Sequence, residues 1–437
     1  MKLSVVGCGY LGAVHASAMV ELGHDVVGID VDADKIAQLA QGKPPFFEPG
    51  LSEILTKATA TGRLRFSTDI ADAAGAQVHF VGVGTPQKAG SHAADLTYVD
   101  AAIIGLLPHL AVGDLVVGKS TVPVGTAARL ADLITESGSG ASLIWNPEFL
   151  REGFAVRDTI SPDRLVYGVA PGPEGERSVA LLNEVYAAAI AAKTPLVVTD
   201  YATAELVKVA ANAFLATKIS FINAMAEIAE VTGADVTQLA DAIGFDARIG
   251  RRFLNAGVGF GGGCLPKDIR AFTARAEELG RGESVAFLKE VDAINLRRRA
   301  HVVDVATAML GDRLHDGKVG VLGLSFKPHS DDVRDSPALD VAVQLHGLGA
   351  DVLATDPKSI DNARAKHPQL AFSASIEDTL RNAELVVLVT EWPEFVSIDP
   401  VWAASLVKTR TIIDGRNALD AAAWRAAGWT YRGMGRP

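Results

Sequence analysis

The pattern with the clearest chemical potential in this sequence is a glycine-rich loop that ends in a cysteine. Residues 257–263 contain five glycines, and Cys264 follows directly. Because glycine lacks a Cβ atom, this loop can approach a ligand closely. Pro266 is favoured in the first turn of a helix, so Cys264 is predicted to lie just before a helix N-terminus. The helix dipole and Lys267 would favour the thiolate there, which indicates a nucleophile; the alternative is a small buried side chain.

The first thirty residues have the spacing of a dinucleotide-binding fingerprint. An apolar strand precedes Gly7, Gly9 and Gly12 in the pattern G-x-G-x-x-G, a helical pattern follows, and Asp30 closes the next strand. An acid at this position can hydrogen-bond the adenosine ribose hydroxyls and would repel a 2′-phosphate, which favours NAD over NADP. Cys8 occupies a variable position of the fingerprint and is predicted to pack in the core.

Polar residues follow two further buried strands, which are predicted at residues 78–83 and 115–121. Ligands of doubly wound sheets bind at the carboxyl ends of the strands. Thr85, Ser120 and Thr121 are therefore candidate contacts for a cofactor or a water molecule. Ordinary roles in turns and helix caps are the alternative.

A strand predicted at residues 142–145 leads into two glutamates, Glu148 and Glu152, that are four residues apart. If this segment is helical, the two carboxylates share one face, as general acid–base or water-orienting groups would. Two solvated glutamates are the alternative, and the position at a strand end favours the functional interpretation.

Residues 201–299 have the pattern of long helices with few strand signals. The first of them has apolar residues around much of its circumference, which predicts a helix buried between domains or subunits. Lys208 and Asn212 lie four residues apart on it, a spacing suited to a cation and an amide aimed at a developing oxyanion. The alternative for Lys208 is a surface lysine whose stem covers apolar surface.

A second α/β pattern begins near Gly317. Lys327, Arg334 and Arg416 follow its predicted strands and supply the local positive charge that a bound diphosphate requires. For Arg334 the alternative is an ion pair with a neighbouring acid such as Asp332.

Length, charge and cysteine count exclude several classes of protein. A chain of 437 residues is too long for one core, and its formal charge of −11 argues against a nucleic-acid or anionic-membrane surface. No run is expected to reach the length of a membrane span. Cys8 and Cys264 cannot form a disulfide framework, which fits the cytoplasm. The ten histidines are scattered without a metal-ligand cluster, so no metal is predicted.

Several motifs of this sequence occur in the same order in a known protein family, and together they cover nearly the whole chain. The sequence resembles the nucleotide-sugar 6-dehydrogenase family, which includes the UDP-glucose and GDP-mannose dehydrogenases. The resemblance rests on residues 7–12, 47–51, 83–86, 120–126, 146–153, 248–250, 257–268 and 323–337.

The resemblance implies a role for each matching residue. The implied catalytic residues are Cys264 as nucleophile, Asp268 as the acid that supports attack of water, Lys208 and Asn212 as stabilisers of oxyanion intermediates, and Glu148, Glu152 and Thr121 as acid–base and water-holding groups. The implied NAD contacts are Gly7, Gly9, Tyr10, Leu11, Gly12, Asp30, Lys35, Thr85, Ser120, Thr121, Glu152, Lys267 and Arg334. The implied nucleotide-sugar contacts are Glu148, Phe149, Leu150, Arg151, Glu152, Lys208, Asn212, Arg248, Phe253, Gly261, Phe326, Lys327 and Arg416. Arg248 resembles an arginine lent to the neighbouring subunit, which implies a homodimer, with a higher oligomer left open.

The implied fold is two Rossmann-like doubly wound α/β domains joined by a long central helix and a helical dimerisation region. The predicted domains are an NAD-binding domain at residues 1–199, a central dimerisation domain at residues 200–300 and a nucleotide-sugar-binding domain at residues 301–437.

The implied reaction is the NAD-dependent four-electron oxidation of UDP-glucose to UDP-glucuronate at C6, through a cysteine thiohemiacetal and thioester. Gly263 stands where many relatives have serine, and Leu265 where many UDP-glucose enzymes have phenylalanine. GDP-mannose and UDP-N-acetylhexosamines therefore remain alternative substrates. A single-step hydroxyacid dehydrogenase of the 6-phosphogluconate type and a non-enzymatic NAD sensor or scaffold are more distant alternatives, and neither requires Cys264.

Overall fold

The computed structural model describes residues 1–437 and divides into two compact units. The first unit comprises residues 1–211 and 274–280, and the second comprises residues 212–273 and 281–437. Each unit contains its own β-sheet and its own buried apolar cluster. The predicted division into three domains, with boundaries after residues 199 and 300, remains a prediction.

The first unit is built on an eight-stranded sheet. Its strands are β1 (Lys2–Val6), β2 (Asp25–Ile29), β3 (Leu64–Ser67), β4 (Val78–Val81), β5 (Leu115–Gly118), β6 (Ser142–Trp145), β7 (Leu165–Val169) and β8 (Leu196–Thr199). They are arranged in the order β3-β2-β1-β4-β5-β6-β7-β8, and only the pair β6 and β7 is antiparallel. The first six strands have the order of a dinucleotide-binding fold, whose ligand crevice lies at the carboxyl ends of β1 and β4.

The second unit contains a six-stranded sheet in which all neighbours are parallel. Its strands are β9 (Lys318–Leu322), β10 (Asp351–Thr355), β11 (Ala371–Phe372), β12 (Leu385–Leu388), β13 (Thr411–Asp414) and β14 (Thr430–Gly433). Their order is β11-β10-β9-β12-β13-β14, which repeats the connectivity of the first six strands of the chain. The predicted fold class, with two Rossmann-like sheets, is confirmed.

Helices connect and cover these strands. They are α1 (Tyr10–Glu21), α2 (Ala33–Ala40), α3 (Leu51–Ala60), α4 (Thr97–Leu106), α5 (Thr126–Glu136), α6 (Ala155–Ile160), α7 (Pro173–Val185), α8 (Ala187–Ala191), α9 (Tyr201–Thr232), α10 (Val236–Gly244), α11 (Leu265–Glu278), α12 (Phe287–Leu310), α13 (Pro337–Gly347), α14 (Ile360–Lys366), α15 (Ile376–Leu380), α16 (Pro393–Val396), α17 (Pro400–Ala404) and α18 (Ala421–Ala426). Short 3-10 helices occupy Ile70–Ala73, Leu107–His109, Gly282–Val285 and Gly311–Arg313.

The strands predicted at 78–83 and 115–121 are shorter in the structure than these predicted segments. Strand β4 ends at Val81 and β5 at Gly118, and the remaining residues form turns. Every residue of these two strands is buried, as expected for parallel strands covered on both faces. The turns carry the polar side chains that were predicted at the strand ends.

Helix α9 is the long central helix, and its ends have clear local causes. The Asp200 carboxylate accepts a hydrogen bond of 2.8 Å from the Thr203 amide at the start, and Gly233 adopts a φ of +76° after the end. Its apolar composition also satisfies the length and hydropathy limits for a membrane span, so the expectation that no segment would do so is wrong for this helix. Core helices of soluble proteins satisfy the same limits, and 44% of its most apolar window is buried within this protein.

Candidate active site

The glycine turn after β1 has the shape that a dinucleotide pyrophosphate requires. Gly7 has a φ of +91°, and a Cβ on Gly12 would lie 1.7 Å from the Gly7 carbonyl oxygen, so both positions require glycine for the fold itself. A Cβ on Gly9, in contrast, would meet no atom within 4 Å. The backbone is therefore open at Gly9, immediately before α1, where helix amides can bind an anion.

Asp30 lies directly after β2 and is tied to the same turn. Its carboxylate accepts hydrogen bonds of 2.8 Å from the Cys8 amide and of 3.2 Å from the Lys35 ammonium group. Cys8 itself is buried, as predicted, and burial raises the pKa of its thiol. The structure thus brings Asp30 and Lys35 together beside the fingerprint turn, and these residues fit an NAD adenosine ribose.

The polar residues after β4 and β5 also lie together. The Thr85 hydroxyl donates to the Thr121 carbonyl oxygen at 2.9 Å, and the Ser120 hydroxyl donates to the Val83 carbonyl oxygen at 2.7 Å. These bonds connect the two turns at the carboxyl edge of the sheet. Thr85 and Ser120 are buried, whereas Thr121 is half-buried.

The segment that carries Glu148 and Glu152 is not helical, so the suggested common helical face does not exist. The chain is irregular from the end of β6 until α6 begins at Ala155. The Glu148 carboxylate instead accepts a hydrogen bond of 2.6 Å from the backbone amide of Leu150 and one of 3.2 Å from the Lys208 ammonium group. Both partners of this ion pair are largely buried, with 7% of Lys208 and 15% of Glu148 side-chain area exposed. Lys208 is therefore not the surface lysine of the alternative interpretation.

Glu48 holds the Glu152 turn in place, and sequence reasoning assigned it no role. Its buried carboxylate accepts hydrogen bonds of 2.6 Å from the Gly153 amide and 2.7 Å from the Ala155 amide. The Tyr10 hydroxyl donates to the same carboxylate, and burial followed by this contact raises the pKa of Tyr10. Glu48 therefore joins the fingerprint residue Tyr10 to the turn that carries Glu152. An acid within a proline–glycine turn, next to apolar residues, is the signal that could have indicated it.

Two neighbours of Glu148 have partners within the same unit. Arg151 forms a two-pronged ion pair with Asp158, at 2.8 and 2.6 Å, which raises the pKa of Arg151. The Arg164 guanidinium lies 3.7 Å from the centroid of the Phe149 ring. These contacts fix the Phe149 ring through a cation–π interaction, and they engage the Arg151 guanidinium with a carboxylate.

In the second unit, Cys264 immediately precedes α11, as predicted. Its carbonyl oxygen accepts a hydrogen bond of 2.8 Å from the backbone amide of Asp268 in the first turn of the helix. Cys264 is exposed, which excludes the alternative of a small buried side chain. Asp268 is 3% exposed, and its carboxylate accepts two hydrogen bonds of 2.7 Å, one from the side-chain amide of Asn212 and one from the Lys267 ammonium group. Cys264 therefore sits at the positive end of a helix whose first turn holds a buried, doubly bonded carboxylate.

The glycines of the Cys264 loop lie against other parts of the protein itself, most tightly against backbone at Gly257 and Gly261. An added Cβ would fall between 2.2 and 2.8 Å from another part of the second unit at each position. The atoms it would meet are Gly415 O for Gly257, Asn295 Oδ1 for Gly259, Asp335 O for Gly261, the Phe326 ring for Gly262 and the Arg334 guanidinium for Gly263. The close approach that the glycines permit is thus between this loop and the segments that surround it.

Polar side chains hold this loop from two directions. The side chain of Asn295 forms two hydrogen bonds with the backbone of Phe260. Its Oδ1 atom accepts a hydrogen bond of 2.7 Å from the Phe260 N–H, and its Nδ2 atom donates one of 2.9 Å to the Phe260 carbonyl oxygen, as a neighbouring strand would. Arg416 donates to the carbonyl oxygens of Gly259 at 2.9 Å and Phe326 at 3.0 Å. Asn295 was not identified from the sequence, because a single asparagine within a helical pattern has no distinguishing signal.

The second unit also contains Phe326, Lys327 and Phe253, which were predicted to contact the sugar nucleotide, and Arg334, which was predicted to contact NAD. The Lys327 ammonium group lies 5.3 Å from the Phe326 ring centroid, and Arg334 forms the ion pair with Asp332 at 2.6 Å that the alternative interpretation described. Phe253 has a φ of +65°, an uncommon conformation for a bulky residue that is typical of functional sites.

Arg248 lies at the surface of the second unit. Its side chain is 89% exposed and pairs with Asp246 two residues away. This exposure is compatible with the predicted contribution to a neighbouring subunit, which stays a prediction.

The fold and these residues define the class of the protein. Two Rossmann-like sheets, an open pyrophosphate turn at Gly9 and an acid after β2 are the features of an NAD-dependent dehydrogenase. Residues 1–190 match the NAD binding domain of the UDP-glucose/GDP-mannose dehydrogenase family, residues 202–297 match its central domain, and residues 320–421 match its UDP binding domain. The chain belongs to this family.

Individual relatives extend the comparison over the full length. The chain is 40% identical over 440 residues to the UDP-glucose 6-dehydrogenase of Rhizobium meliloti (strain 1021), with 100% of both chains covered. It is 40% identical over 442 residues to the UDP-glucose 6-dehydrogenase TuaD of Bacillus subtilis (strain 168), covering 100% of this chain and 93% of that one. A solved UDP-glucose dehydrogenase from Pyrobaculum islandicum superposes with a TM-score of 0.89 at 38% identity, covering 100% and 98% of the two chains.

Proposed function

We propose that this enzyme oxidises UDP-glucose to UDP-glucuronate, with two molecules of NAD reduced per sugar. The observation that carries the proposal is the exposed Cys264 at the start of α11, beside the buried Asp268 carboxylate. A single-step alcohol dehydrogenase requires no such thiol. Relatives named UDP-glucose 6-dehydrogenase match the chain over its whole length, which supports UDP-glucose as the sugar.

The residues of the first unit fit NAD. The open backbone at Gly9 would receive the pyrophosphate, and Asp30 with Lys35 would hold the adenosine ribose. We assign further NAD contacts to Thr85, Ser120 and the half-buried Glu152, as the resemblance to the family implies. When bound, NAD supplies a hydride acceptor, and the sugar must stay bound while one NAD is exchanged for the next.

The proposed role of Cys264 is to retain the sugar between the two oxidations. After C6 has lost its first hydride and its hydroxyl proton, the thiolate sulfur adds to the aldehyde carbon, and the carbonyl oxygen is protonated to give a thiohemiacetal. Loss of the second hydride and of the hydroxyl proton gives a thioester. Water then loses one proton as it adds to the thioester carbon, the carbon–sulfur bond breaks to release the thiolate, and the resulting carboxylic acid loses the second proton to solvent.

The polar residues around these steps have roles that follow from their charges. Lys208 and Asn212 would stabilise the oxyanions formed at C6, because one provides a positive charge and the other an amide donor. Asp268, held by Asn212 and Lys267, would accept a proton from the attacking water. Glu148, which pairs with Lys208 at 3.2 Å, would exchange protons with the C6 oxygen.

We assign binding of the sugar nucleotide to residues near the Cys264 loop and to residues of the Glu148 turn. Lys327 and Arg416 provide positive charge for the diphosphate in a chain whose formal charge is −11. The residues proposed to contact the sugar nucleotide are Glu148, Phe149, Leu150, Arg151, Glu152, Lys208, Asn212, Phe253, Gly261, Phe326, Lys327 and Arg416.

A homodimer in the cytoplasm is the proposed working form. On α9 the exposed side chains Phe214, Phe221 and Ile228 recur every seven residues, and they are 67%, 48% and 56% exposed. This spacing places them along one face of the helix, and such an apolar stripe favours association with a second copy. Phe221→Asp is expected to yield monomers in sedimentation velocity, whereas Val401→Asp, at an exposed apolar residue off this stripe, is expected to keep the dimer.

The reaction is tested by the yield of NADH per molecule of sugar nucleotide, with UDP-glucose in limiting amount. We expect two NADH and one UDP-glucuronate per UDP-glucose, and no uronate from Cys264→Ala. Cys8→Ala, at the buried cysteine, is the matched control and should retain the yield of two. A yield of one would remove the thioester step, and a yield of two with GDP-mannose or a UDP-N-acetylhexosamine in place of UDP-glucose would keep the mechanism and change the substrate.

A further inference from the structure

A buried lysine lies behind the Glu148 turn, and no role has been assigned to it above. Lys119 directly follows β5 and is 7% exposed. Its ammonium group donates to the side-chain oxygen of Asn146 at 2.9 Å, to the carbonyl oxygen of Asn146 at 3.4 Å and to the Tyr186 hydroxyl at 3.3 Å. All three acceptors are neutral. Lysine is rarely buried unless it is paired with a carboxylate, so this position calls for a functional explanation.

The aromatic rings near Lys119 stabilise its charge. The ammonium group lies 6.0 Å from the centroid of the Phe80 ring and 5.9 Å from that of the Tyr186 ring. Tyr186 in turn donates its hydroxyl proton to the Asn146 side-chain oxygen at 3.1 Å. Asn146 is thus held by two donors, and its own amide donates to the Val166 carbonyl oxygen at 3.0 Å.

A cavity of about 40 Å³ connects this group to Glu148. Lys119, Asn146 and Glu148 line it together with His15, whose Nε2 atom is buried and makes no hydrogen bond within the protein. The volume accommodates about one water molecule. The cavity is therefore polar, with a buried cation on one wall and the Glu148 carboxylate on another.

We propose that Lys119 is a positioning residue for the acid–base turn, which it holds through Asn146 so that Glu148 is directed at Lys208. Asn146 and Glu148 are separated only by Pro147, whose fixed φ transmits the orientation of one residue to the next. The proposal rests on the role proposed above for Glu148. It explains why a positive charge is kept in a site that an apolar side chain would fill at lower cost.

The charge of Lys119 responds to pH near pH 8. Burial lowers the pKa of Lys119 to about 8, with Glu148 acting to raise it and Lys208 to lower it. The other groups facing it stay neutral near pH 8, since burial lowers the pKa of His15 and raises that of Tyr186. The remaining charged groups on the cavity wall are Asp158, Asp163 and Arg164. Loss of the Lys119 proton leaves two N–H donors for the three acceptors at Asn146 and Tyr186, and it removes one positive charge from the vicinity of Glu148.

The test compares the pH dependence of kcat in the wild type and in Lys119→Met between pH 6.5 and 9.5. We expect at least a tenfold lower kcat at pH 7 in the variant, with the KM for NAD changed less than twofold and with the wild-type decline of kcat near pH 8 absent. Lys57→Met makes the same side-chain change at a residue that is 68% exposed and should retain the wild-type profile. Superimposable profiles for Lys119→Met and the wild type would overturn the proposal.

A second variant keeps the proposal testable should Lys119→Met fold poorly. Asn146→Asp retains an oxygen acceptor for Lys119 and adds a negative charge, so the decline of kcat should move to higher pH. A decline that stays near pH 8 would contradict the role of Lys119.

A double-mutant cycle tests whether Lys119 acts through Glu148. In a Glu148→Gln background, Lys119→Met should lower kcat less than twofold, because the group it positions is absent. An undiminished effect in that background would overturn the proposal. The NADH yield of the wild-type enzyme tests the reaction separately, so failure of the proposed function is distinguishable from failure of the role of Lys119.

Discussion

Replacing Lys119 by methionine should change how the free energy of unfolding depends on pH. In the unfolded chain the pKa of a lysine is near its ordinary value of 10.5, whereas burial lowers that of Lys119 to about 8. Between these two values the unfolded state binds more protons than the folded state, so the stability of the wild type rises with pH. Below pH 8 both states are protonated, and the cost of the buried charge is fully present.

The magnitude follows from the same two pKa values. The gap from about 8 to 10.5 corresponds to about 3 kcal/mol of free energy that the charged form of Lys119 costs the folded protein at neutral pH. Part of this cost disappears as the folded protein loses the proton, which amounts to about 1.3 kcal/mol between pH 7 and pH 9. Methionine has no proton to lose. The wild type should therefore gain about 1.3 kcal/mol relative to Lys119→Met over this interval.

Urea unfolding of both proteins at pH 7, 8 and 9 provides the measurement. The comparison uses the change with pH, because methionine also removes the hydrogen bonds to Asn146 and this loss offsets part of the gain at any single pH. Other titrating groups, such as the tyrosines with raised pKa values, are common to both proteins and cancel in the difference. Parallel pH dependences would show that Lys119 titrates as an exposed lysine does, and would refute the reasoning.

Three further predictions follow from particular contacts. Glu48→Gln leaves two backbone amides to share one oxygen and should lower the free energy of unfolding by about 2 kcal/mol in urea titrations. Gly259→Ala should cost about 2 kcal/mol or more, since φ is +102° and the new Cβ would lie 2.4 Å from Asn295, whereas Gly347→Ala, where a Cβ meets nothing, should be neutral or slightly stabilising. Asp30→Ala should raise the KM for NAD about tenfold and reduce discrimination against NADP, and an unchanged NAD-to-NADP ratio of kcat/KM would contradict the ribose assignment.

The parts of the fold that the sequence predicted well are those with short-range causes. The fingerprint turn, the acid after β2 and the position of Cys264 at a helix start depend on residues within a few positions of each other, and the structure has all three. The predicted segments at 78–83 and 115–121 extend past the strand ends, because neither Gly82-Val83 nor Lys119-Ser120-Thr121 contains a proline or another signal that marks where a strand stops. The assumed helical turn at Glu148 failed for a related reason, since its geometry is set by Glu48, about a hundred residues earlier in the chain.

The Cys264 loop shows what a local sequence pattern leaves open. Five glycines in seven residues indicate a close approach, but the sequence does not say what approaches. In the structure the neighbours are Asn295, Asp335, Phe326, Arg334 and the chain at Gly415, all of them distant in sequence. The glycines therefore serve to pack the thiol-bearing loop tightly among these segments.

This origin of the glycines changes what the loop contributes to catalysis. A loop that was glycine-rich in order to receive a ligand would lose its order when the ligand left, because glycine adds conformational freedom to the unbound chain. Here the backbone at Phe260 is fixed by both atoms of the Asn295 amide, and Arg416 holds the carbonyl oxygen of Gly259. Contacts within the protein thus set the position of Cys264 at the start of α11. Substrate binding therefore does not have to supply the free energy that orders the nucleophile.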